Sequence, residues 1–480
     1  MVVNSINFWA FFLIVLVVYF GLFRKSARWQ NVTLLISSYV FYGMVSWKMC
    51  ALLLIATAVF YYLGIAISKN NGGNEKKASR LTTLGVLLGV GMLFYFKYLD
   101  FFVSQFGELL SAIGLKNNIN SFGIVMPLGI SFFTFKLIAY VIEIHRENIQ
   151  PSRDPIAFGT FIAFFPTIMS GPIDQPGKFL PQLDEVRKLD YDGVVDGLKR
   201  ILWGMFLKMC IADQLSGYTS AVFGNYEHHN ATSIILASIL YAFQLYTDFA
   251  GYSDMAIGVS KVMGIKIAEN FNRPIFAQNT SEYWRRWHMS LTSWITQYIY
   301  MPLNVAFRNL GIAGVCLAAI INIIAIGAWH GANWTYILFG LYHGVIIAII
   351  ILLEKRRKKF EKQHGLTKKS WYKYSRMLLT FVLVDFGMVL FQSASLTDFF
   401  GTVRALGNGF GMPFFDPVLI YPLFPMILLL AKEWKDENKK NWHFLHSTNS
   451  IISTLSIVAI IIMILLIGNL NGGSFIYFQF

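Results

Sequence analysis

Long apolar runs separated by short polar loops fill this chain almost end to end. Stretches of membrane length, judged against the roughly 20 residues of a helical crossing, lie at 8–23, 31–47, 50–68, 81–97, 122–144, 156–173, 194–212, 232–262, 311–329, 334–353, 374–392, 417–431 and 451–469. Two of these are weaker. Pro166 and Pro172 interrupt 156–173, and Lys199, Arg200 and Lys208 punctuate 194–212, so both read as re-entrant or interfacial segments. The pattern predicts an all-α polytopic membrane protein with about eleven transmembrane helices. No soluble domain, fixed-period repeat or low-complexity tract interrupts it.

One apolar stretch carries an ionisable side chain. From Gly311 to Leu353 there is no Asp, Glu, Lys or Arg, yet His330 sits within it, flanked by Trp329 and Gly331. Such a group is costly in hydrocarbon and normally faces a bundle interior or a wet cavity. If one helix continues past it, Asn333 shares its face and holds a ring nitrogen. His343 follows 13 residues later, roughly 220° around a helix, and reads as structural.

Two further segments carry chemistry. Ser281–Met301 is predicted as an amphipathic helix at a membrane surface or funnel. Trp284, Trp287, Leu291 and Trp294 form its aromatic stripe, beside a stripe of Arg285, His288 and Thr292. Thr280, Ser281 and Glu282 are reasonable start signals. Within Tyr241–Met255, Gln244 and Asp248 share a face, and Asp254 follows Gly251. These carboxylates need partners inside the bundle, and Arg285 or Arg286 are candidates.

The 480 residues are 55% hydrophobic and only 14% charged, which excludes an ordinary soluble enzyme. The net charge of +14 does not indicate nucleic-acid binding, because the basic residues sit in short loops. Arg24, Lys25 and Arg28, then Lys69, Lys76, Lys77 and Arg80, and finally Lys355 to Lys359 follow apolar runs. The positive-inside rule places these loops in the cytoplasm, near anionic lipid headgroups. The run Phe8–Phe23 has its charges after it and no cleavage site, so it reads as a first span rather than a signal peptide. Cys50, Cys210 and Cys316 form neither a metal-ligand pattern nor a disulfide framework. No metal site is expected.

The chain has no HExxH, no GxSxG, no P-loop, and no His followed five residues later by Asp. What remains is proton transfer by a membrane histidine. Here a resemblance enters. ENFNRPIFAQNTSEYWRRWHMSLTSWITQYIY at 269–300 and AWHGANWTYILFGLYHG at 328–344 resemble the membrane-bound O-acyltransferase family, in its alginate-acetylation and D-alanine-transfer branch. LISSYVFYG (35–43), FKYLDFF (96–102), MPLGISFFTF (126–135), FPTIMSGPI (165–173), QLYTDFAGYSDMAIG (244–258) and FIYFQF (475–480) extend the likeness in order. The departures are Thr296-Gln297, where that branch has Arg-Asp, and Asn304-Val305-Ala306, where it has a double glycine, Asn and a basic residue. Both leave the acceptor and partner open.

The resemblance implies one membrane domain over 1–480, with core motifs at about 120–345 and peripheral helices at 1–100 and 374–480. It implies helices ringed around a central funnel. His330 is the implied catalytic residue and His288 the second family histidine. Arg285 and Arg286 would meet donor phosphates at a cytoplasmic mouth, with Trp329, Asn333, Asp248 and Gln244 as further substrate-binding candidates. No bound cofactor is implied. The donor would be acetyl-CoA or another acyl-CoA, or an acyl-carrier thioester, and the partner an extracytoplasmic protein of the SGNH or related type. The implied location is the cytoplasmic membrane. Acetyl transfer to envelope polysaccharide competes with D-alanyl or other acyl transfer to teichoic acid, lipid or secreted protein. A proton-coupled transporter using Asp248 and His330 is the alternative of another class, although no similar halves are evident.

Overall fold

The computed structural model describes every residue except 1, 2, 4, 116–118, 120, 439–444, 446, 448, 471–474 and 477–480. The end of the FIYFQF motif, at 477–480, therefore lies outside the described residues. In chain order the helices are α1 Ile6–Leu16, α2 Ala27–Gly43, α3 Trp47–Asn71, α4 Glu75–Leu93, α5 Leu99–Ala112, α6 Ile130–His145, α7 Pro155–Ala163, α8 Pro176–Phe179, α9 Tyr191–Phe206 and α10 Asp213–Phe223. They continue as α11 Ala231–Val262, α12 Thr280–Arg286, α13 Met289–Ile295, α14 Met301–Ala306, α15 Ile312–His330, α16 Trp334–Gln363, α17 Ser370–Gln392, α18 Leu396–Ala405, α19 Ile420–Asn438 and α20 Ser450–Ile467. No strand occurs among the described residues.

Eight helices are long and apolar enough to cross a membrane, among the described residues. They coincide with the apolar stretches beginning near 50, 81, 232, 311, 334, 374, 417 and 451. The other five stretches fold as shorter elements. The first is an apolar helix over Ile6–Leu22, and the second is the 17-residue α2. The stretch at 122–144 becomes the 16-residue α6, buried along nearly its whole length. At 156–173 helix stops after Ala163, ahead of Pro166, and irregular but buried chain continues to Asp174. Around 194–212, α9 runs into a π-helical turn at Leu207–Ala212.

The chain forms two compact units. The first comprises Met1–Ile201 and Ser253–Ala268. In it α6 packs against α3 and α4 over small residues: Gly64 lies under Tyr140 and Gly89 under Ile138. The irregular stretch after α7 needs internal partners for its polar groups. Lys136 of α6 supplies one, its Nζ donating to Thr167 Oγ1 at 2.9 Å, and it also donates to the carbonyl of Phe161 near the end of α7 at 3.2 Å. Asn31, part of an Asn-x-Thr triplet, is buried and accepts from Arg187 at 2.6 Å.

The second unit comprises Leu202–Tyr252 and Glu269–Phe480. It contains the antiparallel hairpin of α15 and α16. The turn is sharp because Gly331 ends α15 in extended conformation, and Asn333 caps α16 by accepting from Thr335 N at 3.0 Å. Glycines then let the two backbones touch. A Cβ on Gly327 would lie 2.1 Å from the Tyr336 carbonyl oxygen, and one on Gly340 would lie 2.7 Å from Ile324 Cα. Gly340→Val is therefore expected to cost about 1–3 kcal/mol through overpacking. It should lower the melting temperature of detergent-purified protein; an unchanged value would show that the hairpin tolerates separation.

Candidate functional site

His330 is the last helical residue of α15 and is buried. The expected continuous helix through Asn333 does not form. Gly331 breaks it, so Asn333 is not on the His330 face; its amide nitrogen instead donates to the Ala394 carbonyl at 2.7 Å. The neighbours of His330 are aromatic: Trp329 with ring centroids 5.1 Å apart, Phe391 at 4.9 Å and Tyr336 at 6.4 Å.

The predicted amphipathic helix over Ser281–Met301 is also broken. It starts where expected, with Asn279 accepting from Glu282 N at 2.9 Å, but α12 stops at Arg286. His288 adopts a left-handed conformation, φ +42°, and the chain restarts as α13. Such a conformation is strained for a residue with a Cβ and must be held by its surroundings. Asn270 holds it: its carbonyl accepts from Met289 N at 2.8 Å, and its side-chain oxygen accepts from Ser290 Oγ at 2.6 Å and meets His288 Nδ1 at 3.3 Å. The kink turns the tryptophan stripe inward, so Trp284, Trp287 and Trp294 are buried rather than laid along a surface.

The kink also brings the predicted histidines around one ring. His288 packs edge-on against Trp329 at 5.5 Å and against Phe249 at 4.6 Å, and Trp329 adjoins His330. His343 is elsewhere on α16, buried among Trp284, Phe339 and Tyr342. No hydrogen bond reaches its ring nitrogens among the described residues.

Neither arginine partners the carboxylates of α11. Asp248 pairs with Lys208 Nζ at 2.5 Å, and its second oxygen accepts from Ile476 N at 2.8 Å. Asp254 pairs with Arg200 at 2.9 Å. Arg285 is exposed, while Arg286 is tied to Glu282 at 2.7 Å and to Glu437 at 2.9 Å. Arg273 shares Glu437 at 3.0 Å. The reason is geometric: the break at His288 ends α12 with Arg286 facing Glu437 of α19 rather than α11.

Asp213, Asn270, Tyr336 and Phe391 were not singled out by sequence, and Lys208 only as a charge punctuating 194–212. Lys208 and Asp213 stand five residues apart, which an α-helix puts on different faces. The π turn aligns them: Asp213 N donates to the Lys208 carbonyl, and the side chains pair at 2.9 Å. A basic residue in an apolar stretch followed five residues later by an acid was the available signal.

A polar cavity of about 420 Å³ opens in this unit. Lys208, Asp213, Gln244, Asp248 and Asn333 line it, with Thr219, Tyr241, Tyr336 and Phe391. Tyr336 and Phe391 thus face the cavity and also contact His330. Gln244 accepts from Thr219 Oγ1 at 2.6 Å. Of the sequence-predicted residues, His330, His288 and Trp329 form one cluster, and Gln244, Asp248 and Asn333 line the adjoining cavity. Arg285 and Arg286 belong to neither.

The described residues thus form a multi-pass helical membrane protein with two buried histidines about one tryptophan and a polar cavity beside them. Comparison with known proteins makes this specific. The profile of the MBOAT, membrane-bound O-acyltransferase, family matches residues 147–397. A probable alginate O-acetylase, AlgI, of Pseudomonas aeruginosa is 34% identical over 396 residues, covering 80% of this chain and 71% of the relative. A peptidoglycan O-acetyltransferase of Helicobacter pylori is 30% identical, with 78% and 73% covered. A teichoic acid D-alanyltransferase of Bacillus subtilis is 33% identical over 280 residues, with 55% and 68% covered. The chain belongs to the membrane-bound O-acyltransferase family. It is a multi-pass membrane O-acyltransferase.

One measurement checks the site's physics. Lys208→Met strands two buried carboxylates and is expected to cost about 3–5 kcal/mol. Adding Asp248→Asn should recover part of that loss of melting temperature, and no recovery would mean the pair is not coupled.

Proposed function

We propose that the protein transfers an acetyl group from a thioester on the cytoplasmic side of the cytoplasmic membrane to a hydroxyl of an envelope polysaccharide outside it, with His330 as general base. The observation that carries this reading is the burial of His330 at the end of α15, against Tyr336 and Phe391, which also border the polar cavity. The O-acetylating relatives supply the acyl group and the acceptor class.

In the proposed reaction, neutral His330 removes the proton of the acceptor hydroxyl while its oxygen attacks the thioester carbonyl. The C–S bond then breaks, and the imidazolium returns the proton to the departing thiolate. Coenzyme A, or a carrier protein, stays behind because an anion of that size does not enter hydrocarbon. His288 holds Trp329 beside His330, acting as a positioning residue within the aromatic cluster. An extracytoplasmic partner of the SGNH or related type would assist transfer to the exported acceptor. The D-alanyltransferase relative favours D-alanine as the second reading for the acyl group.

His330→Ala should lower ester content of purified envelope polysaccharide by about 10²–10⁴ in rate, to the level of a deletion strain, at equal membrane abundance. Acetate released by mild base marks acetyl transfer, and D-alanine marks the second reading. Unchanged ester in both strains would overturn the acyl-transfer proposal.

A further inference from the structure

The first unit carries a cationic crevice that the fold leaves unneutralised. Glu75, Lys76, Ser79 and Arg80 of α4 line it, and His145 at the end of α6 closes it. Its volume is about 480 Å³, and it opens to the surface. Lys76 and Arg80 are exposed, and neither forms an ion pair among the described residues. Glu75 sets one negative charge against these two positive ones, so one positive charge is left in excess. In the basic run of α16, by contrast, Arg357 is paired with Glu361 and Lys358 with Glu354.

The rest of α4 narrows the anion. Ala78, Thr82, Gly85 and Gly89 are buried, and the two glycines pack against Leu63 of α3 and Val141 and Ile138 of α6. Lys76, Arg80, Leu84 and Leu87 recur at i, i+4, i+8 and i+11 on another face, which begins with cations and continues in leucine. Leu84 and Leu87 are 47% and 62% exposed, and only 11% of the apolar part of this span is buried. In a membrane that face meets lipid. A soluble phosphate would engage the cations and leave the leucines unused, whereas a phospholipid uses both. One excess positive charge suits the single negative charge of a phosphodiester better than a phosphomonoester, which carries nearly two.

We propose that this crevice seats the headgroup phosphate of one anionic phospholipid, in the leaflet that the positive-inside rule makes cytoplasmic. Lys76 and Arg80 hold the phosphate, the guanidinium offering it two N–H groups, and the Ser79 hydroxyl adds a donor. The acyl chains lie along Leu84 and Leu87. Glu75 borders the same crevice and disfavours a doubly charged ligand. Unlike the lipid around any membrane helix, this molecule has one place and stays with the protein. The site belongs wholly to the first unit and does not depend on the acyl-transfer reading.

The test is native mass spectrometry of the full chain in detergent, titrated with phosphatidylglycerol, zwitterionic phosphatidylethanolamine or inorganic phosphate. Wild type should retain one phosphatidylglycerol more tightly than phosphatidylethanolamine, and inorganic phosphate should not displace it. Lys76→Gln and Arg80→Gln should each weaken that binding about fivefold, the scale of one basic group at an anionic headgroup. Leu87→Ser, which leaves the cations in place, should also weaken it. Lys355→Gln combined with Lys359→Gln removes two exposed charges from the α16 run and should leave it unchanged. Equal retention of the two lipids, or equal weakening by the α4 and α16 substitutions, would mean only general attraction between basic loops and anionic lipid and would overturn the proposal. Displacement by inorganic phosphate would assign the crevice to a soluble phosphate and overturn the lipid.

Discussion

A charge inside an apolar bundle must be neutralised locally, and in the second unit that constraint falls on Lys208. Its ammonium sits between Asp213 and Asp248, from different helices, and the second oxygen of Asp248 accepts from the backbone of Ile476. Removing water from three ionised groups is favourable only if their geometry is good. The π turn at Leu207–Ala212 provides it by aligning positions five apart. One ion cluster thereby ties α10, α11 and the C-terminal segment together and forms a wall of the cavity.

The histidine cluster is built by a second constraint, a backbone break. Left-handed His288 separates α12 from α13 and is fixed by three contacts to Asn270. Without that kink the tryptophans would spiral along a surface helix. With it, they turn into the interior, and His288 reaches the Trp329 ring that adjoins His330. Strain at a buried polar residue is the kind of local cost that proteins retain at working sites.

These two constructions meet at Tyr336 and Phe391. On one side are His330 and its aromatic neighbours. On the other is a polar, ion-lined cavity. The proposed reaction would bring a hydroxyl to a base while excluding water that would hydrolyse the thioester, which a buried histidine beside a polar cavity allows.

The sequence by itself determined the helical membrane class and most of the long crossings, and it singled out His330 and His288 as candidates. Apolar run length and the energetic cost of an ionisable group at depth are local properties, readable along the chain. The family likeness, carried by ordered motifs, was also legible and agrees with the profile match. Tertiary structure decided the rest. Periodicity treated 281–301 as one helix and carried α15 through Asn333, because a helical pattern does not register a break imposed by contacts such as Asn270 with His288. It also gave Asp248 an arginine partner from nearby in sequence. The actual partner, Lys208, becomes visible only when a π turn and helix packing bring three distant residues together, since electrostatic pairing in a low-dielectric interior depends on distance in space rather than along the chain.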